Sequence, residues 1–243
     1  MQSLIIHMSS SIARRANAER LRDMLPEAEL IEAVDGRDPH RVPDVEPQDG
    51  TLHRPHYPFA LRPAEIGVFE SHRRCWRRIV ESGWDYALIT EDDLQVDPAR
   101  LQRALNMIRD HGSPEMYIRL PVKQREMAAD TLATDGDMAL ILPRVIGLQC
   151  ICQIVGRGAA ERLLGATDRI DRPVDTLLQM HWITGQPVHT ILGAGNAEIA
   201  GQIGGSTIQT KTRASGKLAR EFKRAAYRTR IALRPQRPYS VSR

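Results

Sequence analysis

The chain has 243 residues, 42% of them hydrophobic and 26% charged, which suits an ordinary globular protein with one large core and excludes low-complexity and disulfide-scaffold classes. No apolar run approaches the ~20 residues needed to span a bilayer, and the opening residues lack the charged and apolar regions of a secretory leader, so the cytoplasm is the expected compartment. The formal charge of +4 hides an asymmetry: residues 211–243 hold eleven Lys or Arg against Glu221 alone, so they carry +10 while residues 1–210 carry −6.

Residues 3–7 (SLIIH) read as a first strand, followed by a surface helix over 13–25 and a second strand over 29–34 closed by Asp35-Gly36. Residues 37–60, dense in Pro, Asp, His and Arg, predict a long loop of the kind that carries function. A helix over 63–82 is marked by Pro63 in its first turn and Gly83 as its stop. Ile66, Val68, Phe69, Trp76, Ile79 and Val80 share one arc of it, with Glu65 and His72 inside that arc and Glu70, Arg74, Arg77, Arg78 and Glu81 opposite. A polar residue on a buried arc needs a partner, so His72 is either a hydrogen-bonded core histidine or part of a site.

Next comes the most telling stretch, an apolar strand from Tyr86 to Thr90 that runs straight into Glu91, Asp92 and Asp93. Carboxyl ends of strands in open α/β sheets face the ligand crevice, and three adjacent acids repel one another unless a cation or hydrogen-bond donors gather them. They are not needed as a helix cap, because the following helix (98–109) has Asp97 as N-cap and Pro98 at its first position. A divalent metal carrying a phosphate is the expected occupant, opposed by the plainer reading of a turn-initiating acid cluster. Strands over 116–120, 138–142 and 147–155 follow, then a helix bearing Ala159, Ala160, Leu163 and Leu164, and a helical stretch over 173–182. The alternation predicts a mostly parallel or mixed sheet flanked by helices. Residues 195–206 match no phosphate-binding glycine pattern, and Cys75, Cys150 and Cys152 read as small core residues. In the tail, Leu218, Phe222, Ala225 and Ala226 recur at helical spacing among Arg220, Lys223, Arg224 and Arg228, a basic amphipathic segment suited to an anionic membrane surface, with RNA binding and plain solvation as competing readings.

Several segments, in order, resemble glycosyltransferase family 25, the bacterial lipopolysaccharide and lipooligosaccharide glycosyltransferases related to collagen galactosyltransferases. They are Ala33-Val34-Asp35-Gly36, then Leu61 to Gly67 with Ser71-His72 and Trp76, Tyr86 to Asp93, Ile154 to Leu164, and Pro173-Val174-Asp175. The N-terminus departs: where the family usually has an Asn after the first strand and an Asp-Arg pair at the next helix, this chain has His7 and Ala13-Arg14.

The resemblance implies a GT-A-like α/β fold, assigned to residues 1–210 as a single domain, while the charge count sets residues 211–243 apart as a basic, partly helical tail. It implies an inverting transfer of a hexose, commonly galactose from UDP-galactose, to a saccharide acceptor, with Mn²⁺ or another divalent cation. Asp93 is expected as metal ligand with Glu91. Asp92, Ser71, His72, His7 and Arg14 are expected around the donor, and Asp175 as catalytic base. A lipid-linked acceptor would place the enzyme peripherally on the inner membrane, and no nucleic-acid partner is expected. A catalytically weakened binder of sugar nucleotides or saccharides is the alternative that the departures at His7 and Ala13 motivate.

Overall fold

A computed structural model describes residues 1–38, 46–47, 49–203 and 217–238. In chain order the elements are β1 (Gln2–His7), α1 (Ile12–Met24), β2 (Ala28–Glu32), β3 (Glu46–Pro47), α2 (Pro63–Ser82), β4 (Tyr86–Glu91), β5 (Leu94–Gln95) and α3 (Pro98–His111). They continue with β6 (Tyr117–Arg119), β7 (Ala128–Asp135), β8 (Met138–Pro143), β9 (Cys152–Gly156), α4 (Arg157–Gly165) and β10 (Arg169–Ile170). The last are α5 (Val174–Leu178), α6 (His181–Thr184), β11 (Val188–Leu192), β12 (Ala197–Glu198) and α7 (Lys217–Ala232).

Eight strands form one mixed sheet in the order β2-β1-β4-β9-β6-β11-β8-β7. β2, β1 and β4 are mutually parallel, β9 runs antiparallel between β4 and β6, and β8 and β7 add an antiparallel edge beyond β11. The period of two sorts each inner strand onto two cores. Leu4, Ile6, Ala87, Ile89 and Val155 pack under α2, α4 and α5, while Ile5, Leu88 and Ile154 pack under α1 and α3. Helices therefore cover both faces, as the α/β expectation and a GT-A-like fold require. The chain leaves β1 over the α1 face to reach β2, then returns over the α2 face to β4. The strand order reverses between β1 and β4, and at such a switch point the flanking loops part to open a crevice at the strand ends.

The helix punctuation behaves as read. Asp97 accepts from the amides of Ala99 and Arg100 at 3.0 and 3.1 Å, and Gly83 closes α2 at φ +67°. Glu65 accepts from the Arg62 amide at 2.8 Å, which makes it an organiser of the α2 start. Glu70 differs from its assignment to the polar arc: it is fully buried, ion-paired with Arg73 and Arg77, because α2 is covered by α4 as well as by the sheet. The strand expected over 147–155 begins only at Cys152, and its first half is loop with Gln149 at φ +80°. Arg119 holds this loop in place, since its buried guanidinium binds the Leu148 and Gln149 carbonyls, which are then not available to the ladder. The stretch over 173–182 divides into α5 and α6. Within the loops read over 37–60 and 195–206, residues 39–45, 48 and 204–206 lie outside the described residues, as do 211–216 and 239–243 of the tail.

The Asp35-Gly36 turn seats on α2 without room for a side chain. A Cβ on Gly36 would stand 1.8 Å from the Pro63 carbonyl oxygen, and one on Gly67 would stand 2.4 Å from that of Val34. Backbone meets backbone here, so neither neighbour yields. Gly36→Ala is expected to lower stability by about 2–3 kcal/mol, read as a urea midpoint shifted down at unchanged m-value. An unchanged midpoint would show that the turn lifts off α2 at little cost.

Candidate active site

A cavity of about 690 Å³ opens at the carboxyl ends of β1 and β4, where the strand order reverses. Its wall is drawn from the β1–α1 turn, the Val34–Arg37 turn, one side of α2, the Glu91-Asp92-Asp93 turn, the Leu148–Ile151 loop and the start of α5. Segments more than 80 residues apart in the chain thus share one crevice.

The three consecutive acids have different surroundings because successive side chains point apart. Asp92 is buried and fully engaged: His7 Nδ1 lies 2.8 Å from Oδ2, and Arg14 donates to Oδ1 at 2.7 Å. Asn17 donates to the Asp92 and Leu94 carbonyls at 2.7 and 3.0 Å, so α1 clamps the turn from one side. Asp93 receives Arg14 at 3.1 Å on Oδ2, while its Oδ1 is buried with no hydrogen-bond partner. Burial first, and then the neighbouring Glu91 charge, pushes the Asp93 carboxyl up to about 7 despite the opposing pull of Arg14. Glu91, at the end of β4, lines the cavity with its side chain 28% exposed, and His72 Nε2 approaches it at 3.6 Å.

His72 is completely buried in α2. Gln153 on β9 donates its amide to His72 Nδ1 at 3.1 Å, which leaves the ring proton on Nε2, the edge that faces Glu91. His72 is thus both hydrogen-bonded core and cavity wall. Ser71 ties α2 to the Val34 turn, its hydroxyl donating to the Gly67 carbonyl at 2.7 Å and accepting from the Val34 amide at 2.9 Å. Of the expected site residues, Arg14, Ser71, His72 and Asp92 around the donor, Glu91 and Asp93 for the metal and Asp175 as base all line the cavity. His7 instead lies behind Asp92, and Arg14 spends its donors on Asp92 and Asp93.

Asp175 lines the same cavity from the start of α5. The Gln149 amide donates to its Oδ2 at 3.1 Å, and the Thr176 hydroxyl donates to its Oδ1 at 3.2 Å. Pattern reading missed the chain of support behind it. Arg119 and Glu126 form a buried ion pair, Glu126 also accepts from the Gly147 amide at 3.0 Å, and Arg119 holds the Leu148 and Gln149 carbonyls. This fixes the amide that holds Asp175. The Gln149 side chain donates to Glu198 at 3.2 Å, which brings a further carboxylate to the rim. Within this support Gln149, at φ +80°, departs from ordinary backbone, and no local sequence signal marks it. All three cysteines are buried free thiols, and burial pushes Cys152 up to about 12 and raises Cys75 and Cys150 as well, consistent with core roles.

Among the described residues, no three Asp, Glu, His or Cys side chains converge as a ready-made metal cluster. The donor set is narrower: Asp92 is consumed by His7 and Arg14, leaving Asp93 and Glu91. One or two carboxylates completed by phosphate oxygens and water is how Mg²⁺-like cations are commonly held. The orphaned Asp93 Oδ1 and the cost of keeping that carboxylate ionised both fit such a cation.

A family model described as Glycosyltransferase family 25 (LPS biosynthesis protein) matches residues 1–135 of the 243. A protein named Glycosyltransferase 25 family member from Drosophila melanogaster is 26% identical over 189 residues, covering 72% of this chain and 30% of its own length. Relatives of the same name from Drosophila pseudoobscura pseudoobscura (30% identical, 51% of this chain, 20% of the relative) and Anopheles gambiae (32%, 44% and 19%) match shorter stretches. The chain spans less than a third of the length of these curated relatives.

Proposed function

This chain belongs to glycosyltransferase family 25, and from that premise we propose that it transfers a hexose, galactose in our reading, from a UDP-sugar to a saccharide acceptor of lipopolysaccharide or another envelope glycan, with inversion at the anomeric carbon. The observation that carries the reading is the single cavity at the β1/β4 switch point, in which the Glu91/Asp93 pair and the separately supported Asp175 both stand. A diphosphate leaving group and an attacking hydroxyl need differently equipped groups, and the cavity holds both on separate supports.

In this reading Asp93 and Glu91 hold Mn²⁺ or a similar divalent cation together with the donor diphosphate. When bound, that cation supplies charge compensation for the departing UDP. Arg14 and His7 keep Asp92 buried and so fix the turn from which Asp93 projects. Asp175, held by the Gln149 amide, accepts the proton of the acceptor hydroxyl as that oxygen attacks the anomeric carbon. His72 presents its Nε2–H edge toward Glu91 and confines the carboxylate's orientation. An acceptor carried on lipid brings the protein to the membrane surface from the cytoplasmic side, which is where its basic tail is of use.

The test is donor consumption across UDP-, GDP- and CMP-sugars with and without Mn²⁺. Asp175→Asn keeps the shape of the site but removes the proton acceptor, so turnover is expected to fall by about 10²–10⁴-fold while donor affinity stays within about twofold. Equal losses in binding and turnover would assign Asp175 to donor recognition instead. Donor binding by the unaltered chain with no turnover, even when acceptor glycans are supplied, would favour the binding-only relative.

A further inference from the structure

The exposed side of α7 and the cleft beside its C-terminal end form a second surface, separate from the sugar-transfer cavity. One side of α7 is docked: Tyr227 and Ile231 are buried against Met180, with Tyr57 and Trp182 around them, and Arg172 donates to the Tyr227 hydroxyl at 2.9 Å. Arg220 and Arg224 stack over Phe59, each 5.6 Å from the ring centre. Beyond the helix, Gln236 is buried and bonds both the amide and carbonyl of Val188. With that side pinned, 100° per residue turns Leu218, Phe222, Ala225 and Leu233 outward on one stripe. Leu218 is 88%, Phe222 76% and Leu233 75% exposed, all large apolar side chains held in water. Arg228 flanks the stripe on one side, Lys223 and Arg230 on the other.

Where the stripe ends at Leu233, an open cleft of about 510 Å³ is lined by Arg54, Pro55, His56, Arg230, Leu233 and Arg234. Among the described residues no carboxylate forms an ion pair with Arg54, Arg230 or Arg234. The backbone of the opposite wall is fixed, because Arg172 donates to the His53 and Pro55 carbonyls at 3.0 Å each. An apolar stripe that runs into an uncompensated basic cleft matches a surface presenting anionic headgroups above hydrocarbon. No described helix is long and apolar enough to cross a membrane. The geometry therefore suits lying on a bilayer.

We propose that α7 seats this protein on an anionic bilayer, with Leu218, Phe222 and Leu233 entering the interface and the Arg54, His56, Arg230 and Arg234 cleft receiving a phospholipid phosphate. The inference rests on the membrane part of the reading above and adds the residues that make the contact. Tyr57 gives it a functional consequence: it lines the sugar-transfer cavity and also packs edge-on against Tyr227 at 5.5 Å on the docked side of α7, so the helix that would rest on the bilayer is tied to the wall of that cavity.

Co-sedimentation of the full chain with vesicles tests this without donor present, so failure here and failure of sugar transfer are separate results. Vesicles of phosphatidylglycerol in phosphatidylcholine are expected to bind at least about tenfold more tightly than phosphatidylcholine alone. Phe222→Ser is expected to weaken that binding about tenfold and Arg230→Ser about fivefold, with unchanged far-UV circular dichroism and unchanged donor binding. Leu218→Ser serves as a second stripe variant. Equal binding to neutral vesicles, or indifference to all three substitutions, overturns the proposal. So does binding of inorganic phosphate at the cleft without vesicle binding, or retention on RNA in place of vesicles.

Discussion

Asp93→Asn is expected to cut metal-dependent donor turnover by about a thousandfold while the folded protein loses no stability at pH 8. The two parts have one cause. Asp93 is a buried carboxyl whose Oδ1 has no partner and whose ionisation is opposed by burial and by Glu91. For an acid with a folded pKa above its unfolded value, the cost to folding grows as pH rises through the unfolded value and is complete above the folded one. At pH 8, above the folded value of about 7, the native protein bears that full cost, and an amide of the same shape removes it. On the proposed reading the same amide is a poor ligand for a hard cation, so the site would lose the group that makes a bound diphosphate tolerable beside three acids. Stability would then be given up locally for function, a common pattern at active sites. The measurements are donor consumption with and without Mn²⁺ and thermal unfolding of the metal-free protein at pH 8. Full turnover in Asp93→Asn would remove the cation from our reading; a marked fall in melting temperature would mean that the Arg14–Asp93 contact outweighs the burial cost.

Asp171→Ala is expected to lower folding stability by about 3–5 kcal/mol, the largest effect we anticipate outside the cavity. Asp171 and Arg172 are both fully enclosed and joined bidentately at 2.6 and 2.7 Å. Arg172 also reaches the His53 and Pro55 carbonyls and the Tyr227 hydroxyl, so one guanidinium ties the 53–55 loop, β10 and α7 together. Removing its carboxylate leaves a cation in a place water cannot reach. The melting temperature should fall by roughly 6–20 °C, given about 2–4 °C per kcal/mol at this chain length. Pairing Asp171→Leu with Arg172→Met is expected to recover most of the loss, because the penalty lies in the stranded charge. A double variant as unstable as the single one would show that the carbonyl and hydroxyl bonds of Arg172 matter more than its charge.

The helices and most inner strands were legible because their signals are local. Pro63, Gly83, Asp97 and Pro98 mark ends that the backbone needs wherever the element packs, and the apolar runs of β1, β4 and β8 need only burial. β7 and β11 carried weaker marks: β7 is an exposed edge strand of mixed polarity, and β11 is five residues long behind Gly185-Gln186-Pro187. In the tail, helical spacing was visible, but the residues that dock are Tyr227 and Ile231, while Leu218 and Phe222 face outward. Period alone cannot say which apolar side meets the body.

The linear order of residues was enough for an α/β chain, for three acids at the end of a buried strand, and for a family-like set of segments around them, since each depends on neighbours within a few positions. Which acid is spent and which is left over was a matter of folding. His7 reaches Asp92 across 85 positions, Gln149 reaches Asp175 across 26, and Arg172 reaches Tyr227 across 55. Contacts at such separations are set by the order of strands in the sheet and by which helix covers which face. For that reason Asp92 became a buried brace, Asp93 kept one buried oxygen without a partner and Asp171 became a keystone, differences that partners far along the chain impose.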